Sequence, residues 1–82
     1  MKFNRHHLFI ISSLNDTFRE LDDLTVAQHK ALLELVKAGI ILHKVIITSD
    51  TTYLGTIYKL SLYGCKLQKS LLSVLSLIQD NG

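Results

Sequence analysis

The 82-residue sequence predicts a small α+β domain that is mainly α-helical, and three features lead to this prediction. Residues 25–38 contain no proline and no glycine, and their apolar positions recur with helical spacing. Residues 40–48 and 56–60 are rich in β-branched side chains and flank a loop with turn-forming residues, which favours a β-hairpin. Residues 61–79 are strongly apolar with a helical period, which predicts a long final helix.

Two helices are predicted before residue 25. The first covers Phe3 to Leu14, and its buried stripe is predicted to consist of Phe3, His7, Ile10, Ile11 and Leu14. Thr17-Phe-Arg-Glu20 has the spacing of a capping box, in which the threonine and glutamate side chains satisfy each other's backbone amides. A short second helix should therefore begin at Phe18 and carry Leu21 and Leu24 to the core.

The third helix is the most strongly predicted element. Thr25 or Asp23 is expected to cap its N-terminus, and Ala31, Leu32 and Leu35 are expected to face the core. Gly39 stands just past the last periodic residue, where a left-handed glycine commonly ends a helix. The hairpin strands then follow on either side of a loop at residues 49–55, and Ser61 is the predicted N-cap of the last helix, which runs to Gln79.

Two short phrases resemble a known family. Leu32-x-x-Leu35-x-x-Ala38-Gly39-Ile40-Ile41 is similar to the end of the recognition helix in winged-helix transcriptional regulators of the MarR, PadR and HxlR kind. Tyr58-Lys-Leu60-Ser61-Leu-Tyr-Gly64-Cys-Lys-Leu67 resembles the passage from their wing into the C-terminal helix. The resemblance covers about two-thirds of the chain, residues 24–75. It implies a winged helix-turn-helix fold with three helices, a two-stranded wing and a long C-terminal helix.

The resemblance also implies a function, that of a small homodimeric DNA-binding regulator of the repressor type. The helix from Thr25 would enter the major groove of double-stranded DNA, and the wing would contact the phosphate backbone. The implied DNA contacts on the helix are Thr25, Val26, Gln28, His29, Lys30, Leu33 and Lys37, and those on the hairpin are Lys44, Thr51, Thr52 and Tyr53. Gln28 could make paired hydrogen bonds to adenine, while His29 and Lys30 could donate to bases or phosphate.

The last helix has more apolar positions than one stripe can hold. We interpret residues 1–82 as a single domain in which residues 61–79 form a dimerisation helix, because so small a monomer cannot bury a hydrophobic fraction of 48%. The alternative is a wide stripe buried entirely by the first helix. The predicted dimer contacts are Leu67, Leu71, Leu72, Val74, Leu75 and Ile78.

The net charge of +2 gives only weak support for DNA binding. Three basic and four acidic residues precede Thr25, whereas six basic and three acidic residues follow from there, so the half that contains the long helix and hairpin is the basic one. The outward face of that helix includes Val26, Leu33 and Val36, which makes it poorly suited to contact bases in the major groove. A second hypothesis is therefore a protein-binding module, such as a phage- or plasmid-encoded inhibitor of a host enzyme or of a CRISPR effector complex, or an assembly factor.

We predict that the protein is not an enzyme and has no cofactor. His6, His7, His29 and His43 lack the local spacing of metal ligands, and no catalytic motif accompanies the single cysteine, Cys65. One cysteine cannot form an internal disulfide, which fits a cytoplasmic location. The apolar runs are too short for a membrane span or a secretory signal.

Overall fold

The structure is a computed structural model that describes the backbone of residues 2–80 and the side chains of residues 2–74. This part of the chain contains three helices and a two-stranded antiparallel sheet. The order is α1 (Arg5–Ser13), α2 (Val26–Lys37), β1 (Ile41–Ile47), β2 (Tyr53–Leu60) and α3 (Leu62–Asp80). The predicted α+β class is therefore confirmed, and the arrangement is compatible with a winged helix.

Helix α1 is shorter than predicted at both ends because its caps lie inside the expected range. The Asn4 side chain accepts hydrogen bonds from the N–H groups of His6 and His7, at 2.9 and 3.1 Å. The Asn4 N–H in turn donates to Nδ1 of His7 at 3.0 Å, so the imidazole completes a capping box. His7, Ile10 and Ile11 form the buried face of α1, as the sequence predicted.

The segment between α1 and α2 is extended, and the predicted second helix is wrong. The carbonyl oxygen of Asn15 accepts from the N–H of Leu60 at 2.7 Å, and Arg19 exchanges two backbone hydrogen bonds with Tyr58 at 2.9 and 2.8 Å. These bonds hold the segment along the outer edge of β2, so its backbone groups are not available for helical turns. The predicted capping box at Thr17 does not form, because the Thr17 N–H donates to the side chain of Asn15.

Helix α2 and its two ends confirm the prediction. Thr25 is the N-cap: its hydroxyl accepts from the N–H of Gln28 at 3.1 Å, and the Gln28 side-chain oxygen accepts from the N–H of Thr25 at 2.9 Å. Gly39 ends the helix with φ at +78°, a left-handed conformation that suits glycine. This turn lets the Ile40 N–H donate to the Leu35 carbonyl at 3.0 Å, and the chain then enters β1.

The hairpin forms as predicted, but its second strand is longer. Strand β2 begins at Tyr53 instead of Thr56, because Tyr53 pairs with Ile47 across a bulge. Gly55 pairs with Ile46 and borders this bulge, with φ at +152°, a conformation that side chains disfavour. Gly55 therefore bends a continuing strand, whereas the sequence pattern had suggested that it ended the loop.

The junction between the hairpin and α3 is tied to the end of α2 through Ser61. The Ser61 hydroxyl accepts from the N–H of Gly64 at 3.0 Å, which confirms the predicted N-cap. The same hydroxyl donates to the carbonyl oxygen of Gly39 at 2.7 Å. One side chain thereby satisfies backbone groups at both helix ends, and it fixes where α3 starts relative to α2.

The core lies where α1, α2 and the base of the hairpin meet. Its fully buried apolar members are Ile10, Ile11, Leu14, Leu32, Leu35, Ile40, Ile41 and Leu60. Helix α3 covers one side of this core with Cys65, Leu67 and Leu71, and the Gln68 side chain donates to the carbonyl oxygens of Ile11 and Leu14 at 2.8 and 2.7 Å. The described residues span 55 × 25 × 20 Å, so the molecule is elongated.

Candidate functional site

The side of α2 that faces away from the core carries two apolar and two basic side chains. We call this set the α2 ridge, and it consists of Val26, Lys30, Leu33 and Lys37. These positions are spaced to share one face of a helix, and all four side chains are exposed. Val26 is 89% exposed and Leu33 is 53% exposed. The predicted outward orientation of these residues is therefore confirmed.

Two of the predicted DNA-contacting residues on α2 are engaged in the helix cap. The Thr25 hydroxyl and the Gln28 side-chain oxygen each accept a backbone hydrogen bond there. A glutamine recognises adenine by accepting and donating together. Since the Gln28 oxygen is occupied, the expected paired contact with adenine would require the capping box to open.

His29 points to another side of α2, where it lines a groove between α2 and the hairpin. The groove has a volume of about 250 Å³. Its walls come from the segment before α2, from α2 and from β2, and the lining residues are Glu20, Leu21, Asp22, Leu24, His29, Leu32, Tyr53, Leu54, Gly55, Thr56 and Tyr58. Among the predicted DNA contacts, the groove brings together only His29 and Tyr53.

The groove runs along an open edge of β2. Tyr58 uses both of its backbone groups to bond Arg19, so these groups point away from β1. Thr56 is two residues earlier on the same strand, and its backbone N–H and C=O therefore also point away from β1. Among the described residues no backbone group bonds to Thr56 at this edge. The edge is thus paired at Tyr58 and open at Thr56.

Acidic residues, and no lysine or arginine, line this groove. Glu20 and Asp22 stand on the extended segment, and both are exposed. Within residues 2–74, the single approach of a basic side-chain nitrogen to a carboxylate within 4.0 Å is that of His7 to Glu34, so neither groove carboxylate has a cationic partner at that distance. The groove therefore presents unpaired negative charge beside apolar walls.

Two tyrosines lie on the β2 side of the groove. Burial raises the pKa of Tyr58, and the nearby Tyr53 raises that pKa further. Tyr58 therefore stays neutral at physiological pH. The Tyr53 hydroxyl shares a hydrogen bond with the Thr56 hydroxyl at 2.8 Å, while its ring remains largely exposed. Two aromatic rings thus lie beside the carboxylate-bearing wall.

The hairpin tip is closed on itself, which limits the predicted contacts of Thr51 and Thr52 with phosphate. The Thr48 hydroxyl donates to the Asp50 carboxylate, and the Thr51 hydroxyl donates to the carbonyl oxygen of Asp50 at 2.6 Å. Hydrogen bonds from Thr48 and then Thr52 lower the pKa of Asp50, so the tip carries a negative charge. That charge would repel a phosphate.

Lys44 lies on the other face of the hairpin from the groove. Side chains alternate along a strand, so Lys44 points to the opposite face from the buried Ile41. His43 shares the face of Ile41, and Tyr58 lies on that face because it pairs with His43. Lys59, paired with Leu42, lies on the Lys44 face, with its ammonium group 4.8 Å from the ring centre of Phe18. The structure therefore does not bring Lys44 together with the α2 ridge.

The predicted dimer contacts on α3 divide into three groups. Leu67 and Leu71 pack partly against the core of their own chain. Leu72 and Val74 are exposed, Val74 to 54%. Leu75 and Ile78 belong to α3, but their side chains lie outside the described residues. The stripe that begins on the core at Leu67 thus continues outward at Val74.

The described residues do not assemble a metal-binding centre. No group of three His, Cys, Asp or Glu side chains within them could hold a metal ion. Cys65 is a free, half-buried thiol that packs beside the core. None of the helices, as far as they are described, is long and apolar enough to cross a membrane.

Glu20, Asp22, Leu54 and Tyr58 line the groove but are not among the DNA contacts that the sequence predicts. The sequence pattern places Glu20 in the short second helix, Asp22 at the end of that helix and Leu54 in the loop. The backbone hydrogen bonds of Asn15 with Leu60 and of Arg19 with Tyr58 bring this segment beside β2, and no local sequence signal marks that pairing. Comparison of the chain with protein-family models, with curated proteins and with solved structures found no match to indicate what the groove binds.

Proposed function

We propose that this chain is a non-enzymatic protein-binding module that docks on its partner through the α2 ridge and the adjacent groove. The observation that carries the proposal is the combination of exposed apolar side chains and unpaired carboxylates on one side of the molecule. Val26 and Leu33 offer apolar surface, and the groove beside them offers Glu20 and Asp22. Exposed apolar surface with a polar surround is typical of protein interfaces.

The charges on this side support a protein partner over a phosphate backbone. Lys30 and Lys37 are the basic members of the ridge, but Glu20 and Asp22 lie in the neighbouring groove and Asp50 is at the hairpin tip. Nucleic-acid affinity depends on several cations that replace condensed counterions along the backbone. Two lysines near three carboxylates would replace few counterions, so they would contribute little affinity for nucleic acid.

A second candidate is the homodimeric DNA-binding regulator of the repressor type, located in the cytoplasm, which would block a promoter by occupying it. The observation that favours it is the pair Lys30 and Lys37, two turns apart on the exposed side of α2, with the half-exposed Glu34 between them in the sequence. In a dimer, two such ridges could contact successive major grooves of one operator. His29, Leu33 and Tyr53 would then lie beside the bases or the sugar edges.

Both candidates include a homodimer formed through α3. The support is the exposed Val74, which continues the stripe of Leu67 and Leu71 beyond the part of α3 that covers the core. A second copy of α3 would bury this continuation in a parallel or antiparallel helix pair. Dimer formation would place two docking surfaces on one particle.

A photo-crosslinking experiment in the native cells tests the docking surface. A benzophenone amino acid at Leu33 should produce a discrete protein adduct that survives nuclease treatment. The same group at Ser12, which is exposed on α1, is the matched control and should not produce that adduct. An adduct that disappears with nuclease, or equal adducts at both positions, would contradict the proposal.

A salt titration separates protein docking from DNA binding. In gel-shift assays at two salt concentrations, operator binding through lysines must weaken steeply as salt rises. Lys30→Glu should abolish DNA binding but should change the crosslinked adduct at Leu33 by less than about threefold, since exposed charges contribute little to an apolar dock. Tight, salt-sensitive binding to one DNA sequence would establish the second candidate instead.

A further inference from the structure

The geometry of the groove points to a specific ligand class, and this inference rests on the proposed protein-binding function. We infer that the groove receives an extended peptide segment of the partner that carries an arginine side chain. The segment adds as a short strand to the open edge of β2 at Thr56, and its guanidinium group lies between Glu20 and Asp22. The edge of β2, the charge of the groove and its apolar walls each support this assignment.

The edge of β2 supplies the backbone contacts. Arg19 already pairs with Tyr58 as a single residue of antiparallel strand, and the chain leaves the edge immediately afterwards. The next outward-pointing backbone groups of β2 are those of Thr56, which line the groove. An added strand in line with Arg19 would satisfy them with two hydrogen bonds. Addition of an extended peptide to an open sheet edge is a general mode of peptide recognition.

The charge of the groove selects the side chain. A single residue, Leu21, separates Glu20 from Asp22 on the extended segment. Neither carboxylate has an ion-pair partner among the described residues. Lysine and arginine are absent from the lining. A planar guanidinium can bond two carboxylates at once and can also stack on an aromatic face. Tyr53 and Tyr58 provide such faces on the opposite wall.

The size and the apolar walls suit the same side chain. Leu21, Leu24 and Leu32 are among the residues that line the groove, and the aliphatic part of an arginine side chain can pack on them. The volume of about 250 Å³ is sufficient for one long side chain and its peptide unit. We therefore assign the groove to a single extended segment.

NMR titration with synthetic peptides tests the inference. The probe is a capped, β-prone heptapeptide of threonine and valine with arginine at its centre, added to the isotope-labelled full chain. We expect saturable shifts of the Thr56, Tyr53 and Asp22 amides, with the Thr56 amide moving downfield as it gains a hydrogen bond. The same peptide with citrulline in place of arginine should bind about tenfold more weakly, because citrulline keeps the shape but loses the charge.

Isosteric variants of the chain provide the matched control. Glu20→Gln with Asp22→Asn should weaken the arginine peptide about tenfold, to the affinity of the citrulline peptide for the unchanged protein. Asp16→Asn with Asp23→Asn removes the same number of charges from the same segment, outside the groove, and should leave the affinity within about twofold. Asparagine suits position 23, where φ is +57°.

Three results would overturn the inference. One is the absence of saturable shifts at the groove, another is equal binding of the arginine and citrulline peptides, and the third is groove shifts on addition of a short DNA duplex. The proposed function is judged separately by the adduct at Leu33. If an adduct forms at Leu33 but the peptides cause no shifts in the groove, the proposed protein docking stands. Only the binding of an arginine-bearing strand is then contradicted.

Discussion

A Cβ atom on Gly64 would lie 2.2 Å from the carbonyl oxygen of Ile40, so the first turn of α3 packs directly against the backbone that follows α2. The contact is with main-chain atoms, which cannot rotate out of the way as a flexible side chain could. Any residue larger than glycine must push α3 away from this corner. Such a shift would also disturb the hydrogen bond from Ser61 to Gly39.

We therefore predict that Gly64→Ala destabilises the fold, although alanine is normally the better helix residue. The helix preference favours alanine by about 1 kcal/mol, but overpacking against a fixed backbone costs about 3 kcal/mol, so the net loss of stability should be about 2 kcal/mol. Urea unfolding followed by circular dichroism measures the difference. Ser70→Ala, at an exposed position of the same helix, is the control and should change stability by less than about 0.5 kcal/mol.

Gly39 tests backbone conformation without a steric contact, because a Cβ there would meet no atom within 4 Å. Its φ of +78° is left-handed. Gly39→Ala should therefore destabilise the protein by about 1 kcal/mol through conformational strain alone. Gly39→Asn should cost less, since asparagine tolerates this region. Equal unfolding midpoints for the alanine variant and the original protein would contradict a left-handed helix end at this position.

Sequence patterns predicted α2 and the hairpin because both depend on neighbouring residues. Thr25, Gly39 and the β-branched run after it act locally, and each behaves as its chemistry predicts. The segment around Thr17 could not be predicted in this way. Its capping-box pattern is real in sequence, but the pairing of Arg19 with Tyr58, 39 positions further along the chain, supplies the backbone hydrogen bonds instead.

The candidate site shows the same division. The outward positions of Val26, Lys30 and Leu33 follow from helical spacing and were predicted. The groove depends on where an irregular segment lies against a strand, so its carboxylates were missed. The sequence predicts Lys44 among the DNA contacts, but the face that Lys44 occupies depends on the strand register, and the alternation from Ile41 turns its side chain away from the groove.

Paired threonine variants test the corrected boundary of the helices. Thr25→Ala removes a hydroxyl that accepts a backbone hydrogen bond at the start of α2, and it should cost about 1 kcal/mol of stability. Thr17→Ala removes an equivalent side chain from the extended segment, where its hydroxyl caps no helix, and should cost less than about 0.5 kcal/mol. If Thr17→Ala lowered the stability as much as Thr25→Ala does, this result would support a second helix capped by Thr17 and contradict the extended segment.

The hairpin tip predicts a particular pH response. Hydrogen bonds from Thr48 and Thr52 hold the pKa of Asp50 below its ordinary value of 3.8. Because the pKa is lower in the folded state, the ionised carboxylate stabilises the tip at pH above 3.8. This contribution is lost as the pH falls through the pKa of the folded state. The carboxylate is fully exposed, so the effect should be local.

Carboxyl-detected NMR titration measures this pKa directly. We expect a value below 3.8 in the unchanged protein and an upward shift in Thr48→Val, which removes the largest cause. Thr48→Ser keeps the hydroxyl and is the matched control, so it should leave the pKa low. An identical titration curve for the valine and serine variants would mean that the Thr48 hydroxyl does not hold Asp50.

The outer part of α3 offers a test of the proposed dimer, because Val74 lies on the apolar stripe and Ser73 does not. Val74 is 54% exposed and lies on the same helix face as Leu67 and Leu71, which reach the core. If a second copy covers this face, Val74→Asp should bury a charge in the helix pair and raise the dimer dissociation constant by at least about a hundredfold. Ser73→Asp adds the same charge at an exposed position on another side of α3 and should leave the dimer intact.

Light scattering coupled to gel filtration distinguishes a 9.3 kDa monomer from a particle of twice that mass. The unchanged chain and the Ser73→Asp chain should both elute as dimers, and the Val74→Asp chain should elute as a monomer with an unaltered circular dichroism spectrum. Since Leu67 and Leu71 keep their contacts within one chain, dissociation should not unfold the domain. A monomeric unchanged chain would mean that the stripe on α3 is not a self-association surface, and it would leave the α2 ridge and the groove unaffected.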